Sequence, residues 1–295
     1  MNILVTGANG QLGRQMQRLG AVSPNNYLFT DVAELDITDA AAVRGCIAEN
    51  NIEAIVNCAA YTNVERAEEE EPAADRLNRQ AVENLARAAA EADALLVHVS
   101  TDYVFDGHAS VPYTEESPTN PLSAYGRTKL AGEEAVRASG CRHLILRTAW
   151  LYSEEGKNFL RTMLRLTAER ETLNVVFDQI GTPTYAGDLA LAIFSILEGR
   201  LDRGNEGTYH FSDEGVCSWY DFAVEIARAV GHDRCRISPC RTADYPTKAV
   251  RPAYSVLDKG KLKRTFGIEI PQWRESMFYC LKRLQAMQNP QNTNR

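Results

Sequence analysis

The protein has 295 residues, of which 44% are hydrophobic and 24% charged, and this ordinary globular composition excludes collagen, coiled-coil and disordered chains. Its 39 acidic and 32 basic side chains leave a net charge of −7, so a nucleic-acid-binding surface is not expected. The seven cysteines form no CxxC pair, and no apolar run reaches the roughly 18 residues of a membrane span, so we expect a cytoplasmic protein without a disulfide framework.

Short apolar runs alternate with helical patterns through the first half of the chain. The predicted strands are residues 3–5, 27–29, 54–56, 95–99 and 144–146, and the predicted helices are residues 11–19, 40–50, 72–92 and 124–138. The apolar runs lack polar alternation, which is typical of strands that are buried on both faces of a parallel sheet. This order predicts an α/β fold with a doubly wound parallel sheet, Rossmann-like in type.

The pattern is less regular beyond Trp150. We predict helices at residues 158–170, 187–197 and 218–230, strands at 173–177 and 208–211, and a loop at 178–185. Three prolines, Pro239, Pro246 and Pro252, predict irregular loops from 236 to 253. Residues 289–295 are polar, and we expect them to be frayed. These elements predict a smaller C-terminal lobe.

A glycine-rich turn, GANGQLG at residues 7–13, follows the first strand and opens the first helix. Gly7 would permit a tight turn, Gly10 a close approach of the backbone to a pyrophosphate, and Gly13 close packing of the helix on the sheet. The spacing is GxxGxxG rather than GxGxxG, and a plain structural turn is the alternative. The strand-turn-helix context favours dinucleotide binding. Asp31, which ends the second strand, is either a ligand of the adenosine ribose, favouring NAD, or a solvated loop residue.

Three side chains form a candidate catalytic group. Tyr125 and Lys129 stand four residues apart on a predicted helix and therefore share one face, while Thr101 ends a buried strand. The Tyr125 phenol could donate a proton to a carbonyl oxygen, with the Lys129 ammonium lowering its pKa and Thr101 binding the same oxygen. A YxxxK pair alone is common by chance on an exposed helix. Its combination with the glycine turn is more specific.

Several longer motifs connect these features to a known family. They are TGANGQLG at 6–13, VNCAAYTNVERAE at 56–68, STDYVFDG at 100–107, NPLSAYGRTKLAGE at 120–133, LRTAWLY at 146–152, DQIGTPTY at 178–185 and RPAYSVLD at 251–258. With these motifs the chain resembles the extended short-chain dehydrogenase/reductases over essentially its whole length. Within that family, these motifs are similar to those of enzymes that reduce the C4 ketone of dTDP-4-dehydro-L-rhamnose to dTDP-L-rhamnose, the last step of dTDP-rhamnose synthesis. The resemblance implies this activity here, with NADPH or NADH as cofactor.

The resemblance also implies roles for individual residues. It assigns catalysis to Thr101, Tyr125 and Lys129. The implied cofactor-binding residues are Gly7, Gly10, Gln11, Leu12, Gly13, Asp31, Asp36, Ile37, Ala60, Tyr61, Thr62, Val99, Tyr125 and Lys129. The implied substrate contacts are Thr101, Asp102, Tyr103, Trp150, Gln179, Thr182 and Arg251, of which Trp150 is equally a candidate core aromatic.

Some members of this family dimerise through magnesium bound by glutamates, but here Gln15 and Gly187 occupy positions where those acids are expected. We therefore expect no metal, and either a monomer or a homodimer. The five histidines show no ligand spacing, and His98 in its apolar strand is expected to be a satisfied core residue.

Two alternatives to this reductase remain open. One is another nucleotide-sugar 4-ketoreductase or epimerase, since sugar contacts lie in loops. The other is a non-catalytic regulatory subunit, which the retention of all three catalytic side chains disfavours. We expect residues 1–150, with 184–207, to form the NAD(P)-binding domain, and residues 151–183 and 208–295 to form the sugar-nucleotide-binding lobe.

Overall fold

The computed structural model of the protein describes residues 1–200 and 204–288. The strands are β1 (Asn2–Thr6), β2 (Asn26–Thr30), β3 (Ala54–Asn57), β4 (Leu95–Thr101), β5 (Arg142–Thr148), β6 (Leu151–Tyr152), β7 (Thr172–Val176), β8 (Ile180–Gly181), β9 (Thr184–Tyr185), β10 (Gly207–His210), β11 (Cys217–Ser218) and β12 (Arg236–Cys240). The helices are α1 (Gln11–Gly20), α2 (Ala40–Glu49), α3 (Val64–Ala67), α4 (Glu71–Asp75), α5 (Ala81–Glu91), α6 (Ala124–Ala138), α7 (Phe159–Glu169), α8 (Ala186–Ser195), α9 (Trp219–Ala229), α10 (Gly260–Phe266) and α11 (Trp273–Gln288).

Within the described residues, a six-stranded parallel sheet has the order β2-β1-β3-β4-β5-β10. Successive residues of β1 point to opposite faces, so Ile3 and Val5 pack with α1, α8 and α10, whereas Leu4 packs with α2, α5 and α6. Both faces of the sheet are thus covered by helices. This arrangement confirms the predicted doubly wound α/β fold and the five predicted strands of the first half.

The helix predicted at 72–92 is not uniform. Between α4 and α5 the chain forms a π-helical turn, Arg76–Gln80, so the hydrogen-bonding pattern of the α-helix is interrupted there. The buried Asn78 lies in this turn, and its side-chain amide donates to the carbonyl of Tyr61 and to the hydroxyl of Thr128. A Cβ atom at Gly132 of α6 would lie 2.2 Å from the Asn78 carbonyl oxygen, so the turn packs directly on α6.

The second lobe packs α7, α9 and α11 around an aromatic core that includes Phe222 and Trp273. The prediction of irregular loops throughout 236–253 is wrong for its first part, because β12 pairs in parallel with β7 and places Pro239 opposite Val175. A two-stranded sheet consists only of edge strands, and an edge strand tolerates a residue that has no N–H to donate. The loop predicted at 178–185 likewise contains the short strands β8 and β9.

The strand β10 adds to the central sheet beside β5. Residues 208–210 therefore belong to the lobe that contains the central sheet, called the first lobe below, rather than to the second lobe to which the sequence assigns them. Leu262 and Phe266 of α10 pack on the face of this sheet that Ile3 and Val5 share. The other domain bounds stay predictions. Residues 289–295, predicted to be frayed, lie outside the described part of the chain. No described helix is both long and apolar enough to cross a bilayer.

Candidate active site

The order of the central sheet reverses at β1, which has β2 on one side and β3 on the other. A crevice opens at such a reversal outside the carboxyl ends of the strands, where open α/β sheets bind ligands. Gly7 and the loop after β3 meet there. Gly7 has a φ of +65°, and a Cβ atom at this position would lie 2.7 Å from the backbone nitrogen of Ala59. Glycine is thus required both by conformation and by space.

The glycine turn and the start of α1 fit a phosphate group. A Cβ atom at Gly13 would lie 2.3 Å from the Gly7 carbonyl oxygen, so glycine keeps the helix close to the turn. Among the described residues, no side chain caps the first turn of α1 at Gly10, and that turn contains no acid. By contrast, side chains cap α2, α6, α7 and α9. The uncapped amides and the helix dipole together suit an anion, as a dinucleotide pyrophosphate requires.

Two predicted residues border the glycine turn. The Asp31 carboxylate accepts hydrogen bonds from the backbone nitrogens of Asn9, at 2.9 Å, and Val32, at 2.8 Å. The Gln11 side-chain oxygen accepts a hydrogen bond from Asn158 at 2.8 Å, which connects the turn to the start of α7. Leu12, in contrast, is buried in the core below the turn.

The other residues predicted around the cofactor differ in their surroundings. Asp36 is exposed and accepts a hydrogen bond from the Thr38 hydroxyl at 2.7 Å, which lowers the pKa of Asp36. Ile37 lies in the core, at 5% exposure. After β3, Tyr61 donates from its hydroxyl to Glu70 at 2.6 Å, and its backbone nitrogen donates to Asn78 at 2.8 Å. Ala60 is half-buried and Thr62 is exposed.

Lys129 is buried on α6 at 2% exposure, and its ammonium donates to the carbonyl oxygen of Val99 at 2.7 Å. Its Nζ lies 3.5 Å from Nε2 of His98, whose Nδ1 lies 3.2 Å from the Asn57 amide nitrogen. Burial lowers the pKa of Lys129 to about 8, although the charge of Glu133 opposes this effect. Burial and the nearby Lys129 hold the pKa of His98 well below its ordinary value, so His98 is neutral.

Tyr125 is one turn from Lys129, and its phenol lies near the Thr101 side chain. The Ser123 hydroxyl caps α6 by accepting from the Gly126 nitrogen at 3.1 Å, which fixes the helix start that carries the tyrosine. Burial raises the pKa of Tyr125, so the phenol is protonated at neutral pH. The structure thus brings Thr101, Tyr125 and Lys129 together; the predicted effect of the Lys129 charge on the phenol stays a prediction.

Asp102 and Tyr103 follow Thr101 in a short 3₁₀ turn. Asp102 is 2% exposed and accepts from the Thr101 hydroxyl at 2.9 Å, while the ring of Tyr103 meets that of Tyr125 edge-on, with centroids 5.4 Å apart. Burial raises the pKa of Asp102 to about 6. Both residues therefore lie close to Tyr125.

A cleft of about 840 Å³ lies along the second lobe and contains two of the predicted substrate contacts, Gln179 and Arg251. Trp219 lines it, and the indole of Trp150 stacks on Trp219 with ring centroids 3.5 Å apart. Thr182 is fully buried and donates to the Gly215 carbonyl at 2.7 Å, so its hydroxyl is already engaged in the interior.

Sequence reasoning missed several neighbours of these groups. Asn57 orients His98, Glu65 pairs with Arg251 at 2.6 Å, and Trp219 covers the face of Trp150. Asn57 could have been found, because it ends β3 at the edge of the sheet where Thr6 ends β1. Glu65 and Arg251 are 186 residues apart, and no local pattern connects them. The expected satisfied core position of His98 is confirmed.

The comparisons with known proteins agree with one another. A family model described as the RmlD substrate binding domain matches residues 1–286. The chain is 42% identical over 284 residues to the dTDP-4-dehydrorhamnose reductase of Aggregatibacter actinomycetemcomitans, covering 93% of this chain and 96% of that one. It is 41% identical over 291 residues to a probable dTDP-4,6-dihydroxy-2-methyloxan-3-one 4-ketoreductase of Streptomyces antibioticus, covering 98% of each.

A solved structure adds a similarity in three dimensions. The dTDP-4-dehydrorhamnose reductase of Bacillus anthracis, in complex with NADP, has a TM-score of 0.90 to this protein and 37% sequence identity, covering 96% of this chain and 99% of that one.

Proposed function

The chain belongs to the family of the RmlD substrate binding domain, and we propose on that premise that it reduces the C4 ketone of dTDP-4-dehydro-L-rhamnose to dTDP-L-rhamnose, the last step of dTDP-rhamnose synthesis. NADPH or NADH is the cofactor. The observation that carries the proposal is the contact of a protonated Tyr125 with Thr101, one helical turn from the buried Lys129, at the carboxyl edge of β4.

The reduced nicotinamide supplies hydride to C4 of the sugar when it is bound. The Tyr125 phenol donates its proton to the ketone oxygen, so hydride and proton together convert the ketone to an alcohol and leave a phenolate. Thr101 binds the same oxygen and orients it. The Lys129 ammonium stabilises the phenolate by its charge, and its hydrogen bond to the Val99 carbonyl keeps its Nζ in place.

The residues that would hold the cofactor are those of the crevice at β1. Gly7, Gly10, Gln11, Leu12 and Gly13 would surround the pyrophosphate at the start of α1, and Asp31 would reach the adenosine ribose. The fit rests on the uncapped amides of α1 and on the absence of space for a Cβ atom at Gly7 and Gly13. Asp36, Ile37, Ala60, Tyr61, Thr62 and Val99 complete the proposed channel.

The substrate would extend from Tyr125 into the cleft of the second lobe. We assign its sugar to Asp102, Tyr103 and Trp150, and its diphosphate to Gln179 and Arg251, because a guanidinium pairs well with phosphate oxygens. The volume of about 840 Å³ is in the range of small-molecule sites. Thr182 would act by holding the loop at Gly215 through its own hydrogen bond.

The test is the oxidation of NADPH or NADH with enzymatically made dTDP-4-dehydro-L-rhamnose, followed by the loss of reduced-nicotinamide absorbance. Wild-type protein should turn over, and Tyr125→Phe should lose most of that activity while still binding NADPH. Folded wild-type protein that oxidises neither cofactor would refute the proposed activity. Equal activity in Tyr125→Phe would refute the proton-donor role alone.

A second candidate is reduction of a different dTDP-linked 4-ketosugar, since the Streptomyces antibioticus relative carries such a name at 41% identity. The two substrates differ at the sugar and not at the nucleotide. Comparing kcat/KM for both ketosugars decides between them, and the rhamnose precursor should be preferred.

Two further points belong to the proposal. We place the protein in the cytoplasm, and we expect a monomer or a homodimer without a bridging metal. The Gln15 amide donates to Glu154 at 2.7 Å, so this position of α1 is used within the chain. Light scattering with and without EDTA should give one mass; a mass that falls with EDTA would contradict this.

A further inference from the structure

A buried row of three polar side chains runs from the end of β3 to the catalytic lysine. Asn57 is 1% exposed, His98 is fully buried, and Lys129 is 2% exposed. The Asn57 amide nitrogen lies 3.2 Å from Nδ1 of His98, and Nε2 of the same ring lies 3.5 Å from Nζ of Lys129. Because all three side chains are buried, their neighbours in the protein decide where the protons of this row lie.

The orientation of the Asn57 amide is fixed by its other contacts. Its oxygen accepts hydrogen bonds from the backbone nitrogen of Ala59, at 3.2 Å, and from the Thr6 hydroxyl, at 2.8 Å. A backbone N–H group can only donate, so the amide oxygen and not the amide nitrogen must face Ala59. The amide NH₂ group therefore points to His98 and donates a hydrogen bond to Nδ1.

This contact decides which nitrogen of His98 carries the proton. Since Nδ1 accepts from Asn57, it carries no proton, and a neutral imidazole then has its proton on Nε2. A charged imidazolium would place a second proton on Nδ1, against the Asn57 donor. Burial and the charge of Lys129 also hold the pKa of His98 well below its ordinary value. His98 therefore presents an N–H group to Nζ of Lys129.

An N–H group at this position distinguishes the two forms of Lys129. An ammonium has three protons and no lone pair, so it cannot accept from Nε2 of His98, and the two donors repel each other. A neutral amine has a lone pair that can accept. The carbonyl oxygen of Val99, 2.7 Å from Nζ, accepts from either form. His98 thus favours the uncharged lysine.

Other titratable groups around Lys129 act beside this contact. The Glu133 carboxylate, one turn along α6, favours the charged lysine, although burial of the lysine outweighs this effect. Glu133 also accepts two hydrogen bonds from Arg147, at 2.9 and 2.8 Å, and one from Arg137 at 2.7 Å, so its charge is largely compensated. The Tyr125 phenol, one turn in the other direction, is protonated at neutral pH. The balance between charged and neutral lysine is therefore sensitive to the direction of the neighbouring imidazole.

We propose that His98 is a positioning residue whose Nε2 proton, oriented by Asn57, limits the pH range in which Lys129 carries the charge that stabilises the Tyr125 phenolate. This inference rests on the proposed reductase function. The imidazole transfers no proton in this role, and it acts only through the direction of its N–H group. Reversing that direction should extend the reaction to higher pH.

Asn57→Asp reverses the direction of the row. The carboxylate still accepts from Thr6 and Ala59, but its second oxygen can only accept, so the imidazole must carry its proton on Nδ1. Nε2 then accepts from the Lys129 ammonium. The midpoint of the alkaline decline in single-turnover reduction should rise by about one pH unit or more. Asn51→Asp, the same change at an exposed position, is the control and should leave the midpoint unchanged.

A His98→Leu background separates the effect of the ring from that of the added negative charge. The new carboxylate also attracts the Lys129 ammonium through space, and this attraction does not need the imidazole. Asn57→Asp should therefore raise the midpoint much less in His98→Leu than in the wild type. An equal rise in both backgrounds overturns the inference, and so does the absence of a rise in the wild-type background.

A second measurement needs no turnover, so it separates this inference from the proposed function. In protein labelled with ¹⁵N in the histidine rings, the His98 signals, assigned with His98→Leu, should report a proton on Nε2 in the wild type and on Nδ1 in Asn57→Asp. In protein labelled with ¹³C at lysine Cε, the Lys129 signal, assigned with Lys129→Met, should titrate at higher pH in Asn57→Asp. A wild-type His98 with its proton on Nδ1 overturns the inference, whether or not the enzyme is active and whether or not Asn57→Asp folds.

Discussion

The Glu65 carboxylate accepts a hydrogen bond of 2.6 Å from the guanidinium of Arg251, and this ion pair connects α3 of the first lobe to the loop that borders the cleft. Glu65 also accepts a hydrogen bond from the backbone nitrogen of Lys248 at 2.9 Å, so one carboxylate binds both the backbone of this loop and the guanidinium of Arg251. Arg251 is the cation that we assign to the diphosphate. Glu65 and a bound diphosphate would therefore compete for the same guanidinium.

This competition predicts opposite effects for the two partners. Arg251→Gln should weaken dTDP binding by about tenfold to a hundredfold, the range of a lost charge-assisted hydrogen bond. Glu65→Gln should strengthen it several-fold, because a neutral amide still accepts from the loop amides but no longer neutralises the guanidinium. Isothermal titration calorimetry with dTDP measures both. Glu69→Gln, which removes an exposed partner of Lys248, is the control and should leave affinity unchanged. Weaker binding in Glu65→Gln would instead mean that Glu65 positions Arg251 for the ligand.

The lowered pKa of Lys129 predicts a loss of activity at alkaline pH. Its pKa is lowered to about 8 by burial, so its stabilising charge is present below that pH and is lost above it. The wild-type reduction rate should therefore fall above about pH 8. Lys129→Met should lower the rate by about 10²-fold or more and remove this decline, as stopped-flow reduction over a pH series would reveal. Arg127→Met on the exposed side of α6 is the control. An alkaline decline that survives in Lys129→Met would assign it to another group.

The first lobe was largely predictable because its signals are local. The inner strands β1, β3, β4 and β5 are apolar runs that are mostly buried on both faces, and the glycine turn carries its own conformational requirement at Gly7. Tyr125 and Lys129 share a helix face, so their spacing placed them together. The second lobe depends on contacts that are distant in sequence. The pairing of β7 with β12 is one example. Pro239 by itself indicates a loop, and only the partner strand β7 shows that the segment is an edge strand.

The remaining site features were hidden for the same reason. The stacking of Trp150 on Trp219 and the ion pair of Glu65 with Arg251 each join segments that no periodicity relates. The direction of the hydrogen bonds at Thr101 depends on a backbone amide and a buried carboxyl, which the motif STDYVFDG contains but does not orient.

Asp102 predicts a change of stability with pH. Its pKa is about 6 in the folded protein and near 3.9 when unfolded, so between about pH 4 and 6 the folded state holds a proton that the unfolded state has released. The free energy of unfolding therefore falls as the pH rises through this window. Asp102→Asn removes the penalty and should stabilise the protein by up to about 3 kcal/mol above pH 7, with little effect below pH 4.

Urea unfolding of the wild type and Asp102→Asn at both pH values measures this difference. Asp106→Asn serves as a control of opposite sign. Hydrogen bonds lower the pKa of Asp106, and the bond from the backbone nitrogen of His108 has the largest effect. It should destabilise the protein near neutral pH. An Asp102→Asn variant that is equally destabilised at both pH values would contradict a buried, titrating carboxyl at this position.

Two glycine-to-alanine substitutions on helices separate the demands of the cofactor turn from ordinary helix propensity. At Gly13 a Cβ atom would lie 2.3 Å from the Gly7 carbonyl oxygen and 2.6 Å from Cα of Ala8, so the backbone of the turn must move. Gly13→Ala should cost about 1–3 kcal/mol and weaken NADPH binding, because the displaced turn no longer presents its amides. At Gly45 in α2 a Cβ atom would meet nothing within 4 Å, so Gly45→Ala should gain about 0.5–1 kcal/mol and bind NADPH normally. Urea unfolding and quenching of tryptophan fluorescence by NADPH measure the two effects. Equal NADPH affinity in the two variants would show that the close packing at Gly13 does not serve the cofactor site.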